Sequence, residues 1–295
     1  MTTIRVTVIG DVMLDVRCRL AAPITPGDDT PASITSHAGG AGANTAAGLA
    51  RLGVPVDLVA RIGDDEAGRA AADELTGLGV TCRFAVDAGR PTGRVIVLVG
   101  PDGERTMVSD RGANAGLRSS DVAPAPGPGH LHLSGYVLLD EQSRPAGLAA
   151  LTAARTAGWT TSVDPQTAAG ICAVGAARFL DWVRGVDVLL PNEAESVALG
   201  GPGRMLGAAR AVAVTRGAGG ASWFSPDGER HLRLDRGADH AADPSGDADS
   251  TGAGDAFNAG FLHAWLRRAD PDHALAAGVA AGTRVAGRLG ARPAH

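Results

Sequence analysis

The chain has 295 residues, 44% hydrophobic and only 3% aromatic, with a formal net charge of −5, so it has room for one large α/β domain or two smaller ones around a core of Ala, Val and Leu. All 27 basic residues are Arg. The lack of Lys excludes a Walker-type phosphate loop and a Schiff-base enzyme, and the lack of any basic run argues against a nucleic-acid surface.

Cys18, Cys82 and Cys172 are far apart and form no Cys-x-x-Cys or Cys/His cluster, so neither a disulfide framework nor a zinc site is expected. The opening run, residues 4–10, reads as a buried strand and is too short for a signal-peptide core. No apolar run reaches membrane-spanning length. These features set the expectation of a reduced, soluble, cytoplasmic protein with no membrane partner.

Asp11 and Asp15 follow that first strand. In an open parallel sheet ligands collect beyond the carboxyl ends of strands, so both acids are candidates for holding sugar hydroxyls; a solvated loop explains either one equally well. Residues 16–36 read as short strands around the turn Pro26-Gly27-Asp28-Asp29. The stretch from His37 to Asn44, with Gly39, Gly40 and Gly42, reads as the opening of an Ala-rich helix to about Leu52. A dinucleotide fingerprint fails there because Thr45 occupies the third glycine place. Close backbone approach to a small polar ligand fits better, with Asn44 offering both a donor and an acceptor.

Residues 56–60 read as a strand, 65–78 as a helix and 80–86 as a strand. Residues 92–100 and 105–110 alternate around Pro101-Asp102-Gly103-Glu104, a hairpin signal. With residues 16–36 this predicts a small sheet set apart from the βα core, a lid or an oligomer contact, because its apolar face needs a cover. From His130 onward strands near 130–134, 160–163, 187–190 and 211–215 alternate with Ala-rich helices, the pattern of a parallel sheet covered on both faces. Their exits carry Ser134-Gly135-Tyr136, Asp164, Asn192-Glu193-Ala194-Glu195 and Thr215-Arg216-Gly217, which together point to one crevice. Thr215 to Gly220 is a Gly-rich turn, and Arg216 there can pair with phosphate or simply sit in a hairpin turn.

After a loop at 235–248 comes Asp249-Ser250-Thr251-Gly252-Ala253-Gly254-Asp255-Ala256-Phe257. Phe257, Leu262 and Trp265 then begin an apolar stripe at helical spacing. A Gly-rich turn feeding a helix N-terminus suits an anion, through free N–H groups and the helix dipole. Asp255 in the first helical turn could merely cap that helix. A carboxylate beside an anion site is otherwise repelled unless it has work to do, such as taking a proton from an attacking hydroxyl. The last region, 271–288, reads as a helix with Gly278 and Gly282 spaced to let a flat ligand or another helix approach, with close helix packing the favoured reading.

The ordered series of motifs resembles the ribokinase-like carbohydrate kinases, also called the phosphofructokinase-B family. Gly39-Gly40-Ala41-Gly42-Ala43-Asn44 is similar to the family's N-terminal signature, and Asp249 to Phe257 to its C-terminal one. Pro191 to Glu195 and Thr215-x-Gly217-x-x-Gly220 resemble its metal/phosphate and nucleotide elements. The resemblance implies one kinase domain over 1–295: a three-layer αβα core with a mostly parallel sheet, and a β-sheet lid from about 12–37 and 90–111. It implies an ATP-dependent phosphotransferase acting on a hydroxyl of a small sugar, with ATP, Mg2+ and a monovalent cation such as K+. Asp255 would be the base, and Gly252, Ala253 and Gly254 the anion hole. Asp15, Gly39, Gly40 and Asn44 would bind the sugar, with Asp11 close by. Asn192 and Glu195 would organise magnesium and phosphates through water, and Thr215, Arg216, Gly217 and Gly220 would hold ATP. Asp249 and carbonyls near 285–290 would hold the monovalent cation.

Gly112-Ala113-Asn114-Ala115 is similar to a stretch in ribokinase, but Tyr136 stands where an acidic sugar ligand is expected. Arg111 could face an acidic or phosphorylated sugar, or be a solvated strand-end Arg. A nucleoside acceptor is disfavoured because the lid segments contain no aromatic residue to stack a base. A non-catalytic sugar or nucleotide sensor on the same fold is the reading from another class. A homodimer through the lid edges is the expected assembly, if any.

Overall fold

The computed structural model describes residues 4–123, 127–234 and 252–286. β1 (Arg5–Ile9) is buried from Val6 onward, as a strand covered on both faces must be. The chain then leaves the main sheet for β2 (Met13–Leu20) and β3 (Ala32–Gly39), and returns through α1 (Ala41–Arg51), β4 (Val56–Gly63), α2 (Glu66–Gly77) and β5 (Thr81–Asp87). It leaves a second time for the hairpin β6 (Gly93–Val99) and β7 (Arg105–Asp110). Regular βα alternation follows: β8 (Gly129–Ser134), α3 (Gly135–Leu139), α4 (Arg144–Thr156), β9 (Thr160–Asp164), α5 (Ala168–Val174), α6 (Ala176–Trp182), β10 (Val186–Leu189), α7 (Glu193–Ala198), α8 (Pro202–Met205) and β11 (Ala209–Thr215). β12 (Ala221–Ser225), β13 (Gly228–Leu232), α9 (Ala253–Arg268) and α10 (Pro271–Val285) complete the described chain.

The main sheet runs β13-β12-β11-β10-β9-β8-β1-β4-β5. Every pair from β11 to β5 is parallel, and β12 and β13 add an antiparallel edge. Apolar side chains fill both faces. Val6, Val8, Leu58 and Val188 pack with Leu49, Phe257, Phe261 and Leu275 on one side; Ile9, Val59, Leu133 and Leu189 pack with Leu138, Leu151, Ile171 and Phe179 on the other. The result is the expected three-layer αβα core. β1 and β8 are neighbours whose connections run to opposite flanks of the sheet, so their exits open a crevice at the switch in strand order.

The second sheet has four strands in the order β3-β2-β6-β7 and is the expected small sheet set apart from the core; it is called the lid below. The N-terminal glycine stretch differs from its sequence reading in one respect. His37 to Gly39 finish β3, paired with Asp15 to Met13, and the helix starts only at Ala41. Gly40 makes the change of direction with a φ of 96°, and a Cβ there would lie 2.4 Å from the Asp11 carbonyl oxygen. A side chain could be placed there only with backbone strain.

α1, α9 and α10 form one packed layer joined by small residues. An added Cβ at Gly48 of α1 would stand 2.7 Å from the Ala259 Cβ of α9, and one at Gly260 would stand 2.6 Å from the Ala277 carbonyl. Gly278 lies against the Phe257 ring, so it serves helix packing as expected. Phe257, Phe261 and Trp265 stack at one-turn spacing along α9, with Trp223 of β12 against the end of the stack.

Beneath α9 the sheet carries a polar row. His130 is hydrogen-bonded to Thr160 and Ser162 at 2.8 Å each, and His132 to Ser162 at 2.9 Å. Burial pushes the two imidazoles down to about 3 and about 4, so both are neutral in the folded chain.

Candidate active site

The reactive end of α9 is set by Gly252, whose left-handed backbone (φ 79°) turns the chain into the helix without a side-chain cap. Asp255 falls in the first turn. Its Oδ2 accepts from Asn44 Nδ2 at 2.9 Å, which joins the two glycine-rich helix starts across 211 residues of sequence. Asn44 is buried, and its Oδ1 has no partner among the described residues. An acceptor left unpaired when buried costs free energy. A Cβ on Gly254 would meet no described atom within 4 Å, so this turn is open on its outer side.

Asp15 lies on β2 opposite His37, and its carboxylate packs directly over Gly39, where an added Cβ would be 2.2 Å from Oδ2. Gly39 is therefore required by the acid and Gly40 by the turn. Tyr136 opens α3 at the exit of β8. Burial pushes its phenol up to about 12, and the charges of Asp11, Asp164, Asp255 and Glu195 push the same way. The hydroxyl stays neutral, able to donate and to accept.

Arg111 is the first residue after β7. Its Nε donates to Asp11 Oδ2 at 2.8 Å and its Nη2 to Asp11 Oδ1 at 2.7 Å. Nη1 donates to Ser143 Oγ at 3.0 Å and pairs with Asp140 Oδ2 at 2.9 Å. Arg111 thus faces carboxylates of the protein itself, and Asp11 is close by the acceptor side with both oxygens engaged.

The other flank of the crevice is built on α7. Asn192 Oδ1 accepts from the Glu195 amide at 2.9 Å, and Glu195 Oε2 accepts from the Asn192 amide at 2.9 Å, a capping box. Capping alone leaves the burial of Glu195 unexplained. Glu195 is 2% exposed, and burial pushes its carboxyl up to about 7. Asp164, at the exit of β9, is pushed up to about 8 by burial and then by the charge of Glu195, although Asn258 of α9 donates to it at 2.6 Å. Two carboxyls share this pocket with no cation among the described residues.

Thr215 pairs with Asn192 across an isolated parallel bridge, which sets the second glycine turn beside α7. Gly217 and Gly220 have φ of 52° and 89°, and a Cβ on Gly220 would lie 2.1 Å from the Leu232 carbonyl oxygen. Arg216 turns back along the strand, donating to Ser222 Oγ at 2.6 Å. A cavity of about 580 Å³ lies next to this turn, between the end of β13 and α10, lined by Leu232, Leu234, Ala276, Val279, Ala280 and Thr283 among others. Asp249, the proposed cation ligand, and the carbonyls at 287–290 lie outside the described residues.

The structure thus brings Asp15, Asn44, Tyr136 and Asp255 to one crevice and Asn192, Glu195 and Thr215 to its other flank. Sequence reasoning gave no role to Asp164, missed Asn258, Asp140 and Ser143, and ranked a ligand on α10 second to helix packing. Asp164 carried a signal, as one of the polar strand exits. Asn258, Asp140 and Ser143 carried none, because their partners are distant in sequence.

This geometry is that of a lidded αβα phosphotransferase. The pfkB family carbohydrate kinase profile matches residues 3–294, and the chain belongs to that family. It is a carbohydrate kinase. It is 34% identical, over 99% of its length and 95% of the relative's, to an ATP-dependent ribose-1-phosphate kinase of Halopiger xanaduensis. Its fold matches adenosine kinase from Sinorhizobium meliloti with a TM-score of 0.84 at 23% identity, covering 99% and 96% of the two chains. It also matches a chain described as ribokinase II from Escherichia coli in complex with ATP and Mg2+, with a TM-score of 0.79 at 22% identity over 98% and 94%. No helix among the described residues is long and apolar enough to cross a membrane.

Proposed function

We propose that this chain transfers the terminal phosphoryl group of ATP to a hydroxyl, a primary alcohol, of a small sugar or sugar derivative. The observation that carries the reading is the Asn44–Asp255 pair: a carboxylate in the first turn of a helix, held by an amide whose own oxygen waits for a donor. Asp255 takes the hydroxyl proton as the sugar oxygen bonds to phosphorus and the bond to the ADP oxygen breaks. The backbone N–H groups of Gly252, Ala253 and Gly254 receive the charge that gathers on the migrating group. Asp15, Gly39, Gly40, Asn44 and Tyr136 hold the acceptor, with Asp11 beside them.

Asn192, Thr215, Arg216, Gly217 and Gly220 line the path of the phosphates, and the cavity between β13 and α10, apolar but for Arg233, Thr283 and Arg284, receives the adenine. Glu195, with Asn192 and Asp164, fits a hard divalent cation held through water: the donors are oxygens, and burial leaves their charge uncompensated. Bound Mg2+ would supply neutralisation of the phosphate charge. A monovalent cation at Asp249 completes the proposal.

The lid carries Ile34, Ile96 and Val108 exposed on one face, with Val16 and Cys18 between them by register. We assign that face, rather than the strand edges, to a second copy of the chain. Light scattering that returned the mass of one chain at working concentration would rule this out.

A coupled assay of ADP release over pentoses, hexoses, sugar acids, ribose 1-phosphate and nucleosides tests the reaction. Sugar-dependent release supports it. Tight sugar binding with no release on any acceptor would make the chain a sensor.

A further inference from the structure

One side chain ties the chain that enters the lid after β1 to the chain that leaves it after β7, and both to α3. Arg111 directly follows the lid's last strand. One edge of its guanidinium grips both oxygens of Asp11, and the remaining nitrogen reaches Asp140 and Ser143. Asp140 closes α3, the helix that Tyr136 opens, and Ser143 Oγ donates back to the Val137 carbonyl of the same helix at 2.9 Å. The Asp11 carbonyl accepts from the Ala43 amide at 3.2 Å, directly before Asn44. Next to this, Asn114 pairs with Val12 like a short strand: its Oδ1 accepts from the Val12 amide at 3.0 Å and its Nδ2 donates to the Val12 carbonyl at 2.8 Å.

Reception of a sugar phosphate is the competing role for this side chain, and the contacts disfavour it. Arg has five N–H donors, of which four are directed at protein groups, and two carboxylates already outweigh its single charge. Its surroundings hold it more firmly protonated than usual despite burial, as a fixed cation between acids requires.

We propose that Arg111 is a positioning residue for the acceptor: it staples the lid's return strand to Asp11 and to α3, and so sets where Asp15, Asn44 and Tyr136 stand relative to one another. This rests on the kinase reading only for its kinetic arm. The fork geometry matters, so Lys, which keeps the charge as a single point, is a revealing replacement.

The test uses Arg111→Lys and Arg111→Gln in the full chain. With ribose 1-phosphate, or whichever sugar of the acceptor panel turns over, the acceptor KM is expected to rise by roughly 10- to 100-fold, the scale of a small misplacement. KM for ATP and kcat should move far less, with Lys milder than Gln. Hydrogen exchange on the ligand-free chain reads the same staple without an acceptor: amides of Val12 and of residues 111–114 should exchange faster while those of α9 do not change. The proposal needs both results. Equal rises in the two KM values, unchanged kinetics, or exchange that accelerates everywhere would each overturn it. A wild-type chain that turned over no sugar would defeat the kinase reading, and the exchange experiment would still decide the staple.

Discussion

Two pairs of carboxylates stand at the same end of the main sheet and meet opposite surroundings. Asp11 and Asp140 share the guanidinium of Arg111, so their charge is answered within the protein. Asp164 and Glu195 receive only neutral donors among the described residues, from Asn258 and the Gln166 amide and from Asn192, and burial drives both towards protonation. The same residue types therefore make a joint in one place and, in the proposed reaction, a seat for positive charge in the other. What decides between them is whether the fold supplies a cation. In the proposed reaction the missing cation arrives with ATP as Mg2+.

Substitution of Asp255 should have the largest effect. Asp255→Asn is expected to keep the fold and sugar binding while kcat falls by about 10²–10⁴-fold, measured by the coupled assay. Near-normal turnover would remove the base and leave the crevice without its chemistry. Next comes Glu195→Gln. If the second pair is a receptor for Mg2+, half-saturation of the rate by Mg2+ should move up by roughly 10–100-fold. An unmoved Mg2+ titration would reduce Glu195 to the cap of α7 and erase the contrast.

The pH dependence of stability sharpens the contrast further. Folded, Asp164 and Glu195 hold protons that the unfolded chain releases near 3.8 and 4.5. The folded state therefore binds more protons through this window, and the metal-free chain should lose stability as pH rises towards about 8. His130 and His132 act in the other direction. Folded, they refuse protons that the unfolded chain takes up near 6.5, so their share of stability is present above that pH and lost as pH falls towards about 4. Above about pH 7 only the carboxyl pair remains, and thermal melts in chelator should show a decline that Asp164→Asn largely abolishes. Equal slopes for the two proteins would show that the pair carries no such stress.

The smallest of these effects concerns stability alone. Gly260→Ala adds a methyl group against the Ala277 carbonyl, and should cost about 1–3 kcal/mol in denaturant melts as α9 and α10 are forced apart.

Much of this was legible in order along the chain. Gly252 and Asp255 announced a helix start with an acid in its first turn, because glycine and apolar spacing are local signals. The hairpin at 93–110 was legible for the same reason, while the first lid strand was read only from Arg17 and in fact begins at Met13. The start of α1 was misplaced by four residues, since the Ala- and Gly-rich run after His37 hides that β3 continues until Gly40 turns the chain. The staple was not legible at all. Asp11 and Arg111 are 100 residues apart, and nothing near Asp140 says which cation will come to it. Asp164 was visible as a polar strand exit. Its meeting with Asn258, 94 residues on, is a property of packing and not of either neighbourhood.

Gly48 and Ala259 each sit one helical turn below the residues that matter most, Asn44 on α1 and Asp255 on α9. The two helices come together there until one hydrogen atom is the largest substituent that fits. The reach between amide and base is consequently machined from beneath, by a contact that touches no reactant. A lone extra methyl at position 48 would act as a shim, parting the helices and lengthening that reach, so the tolerance of the chemistry is written in the least conspicuous side chain of the layer.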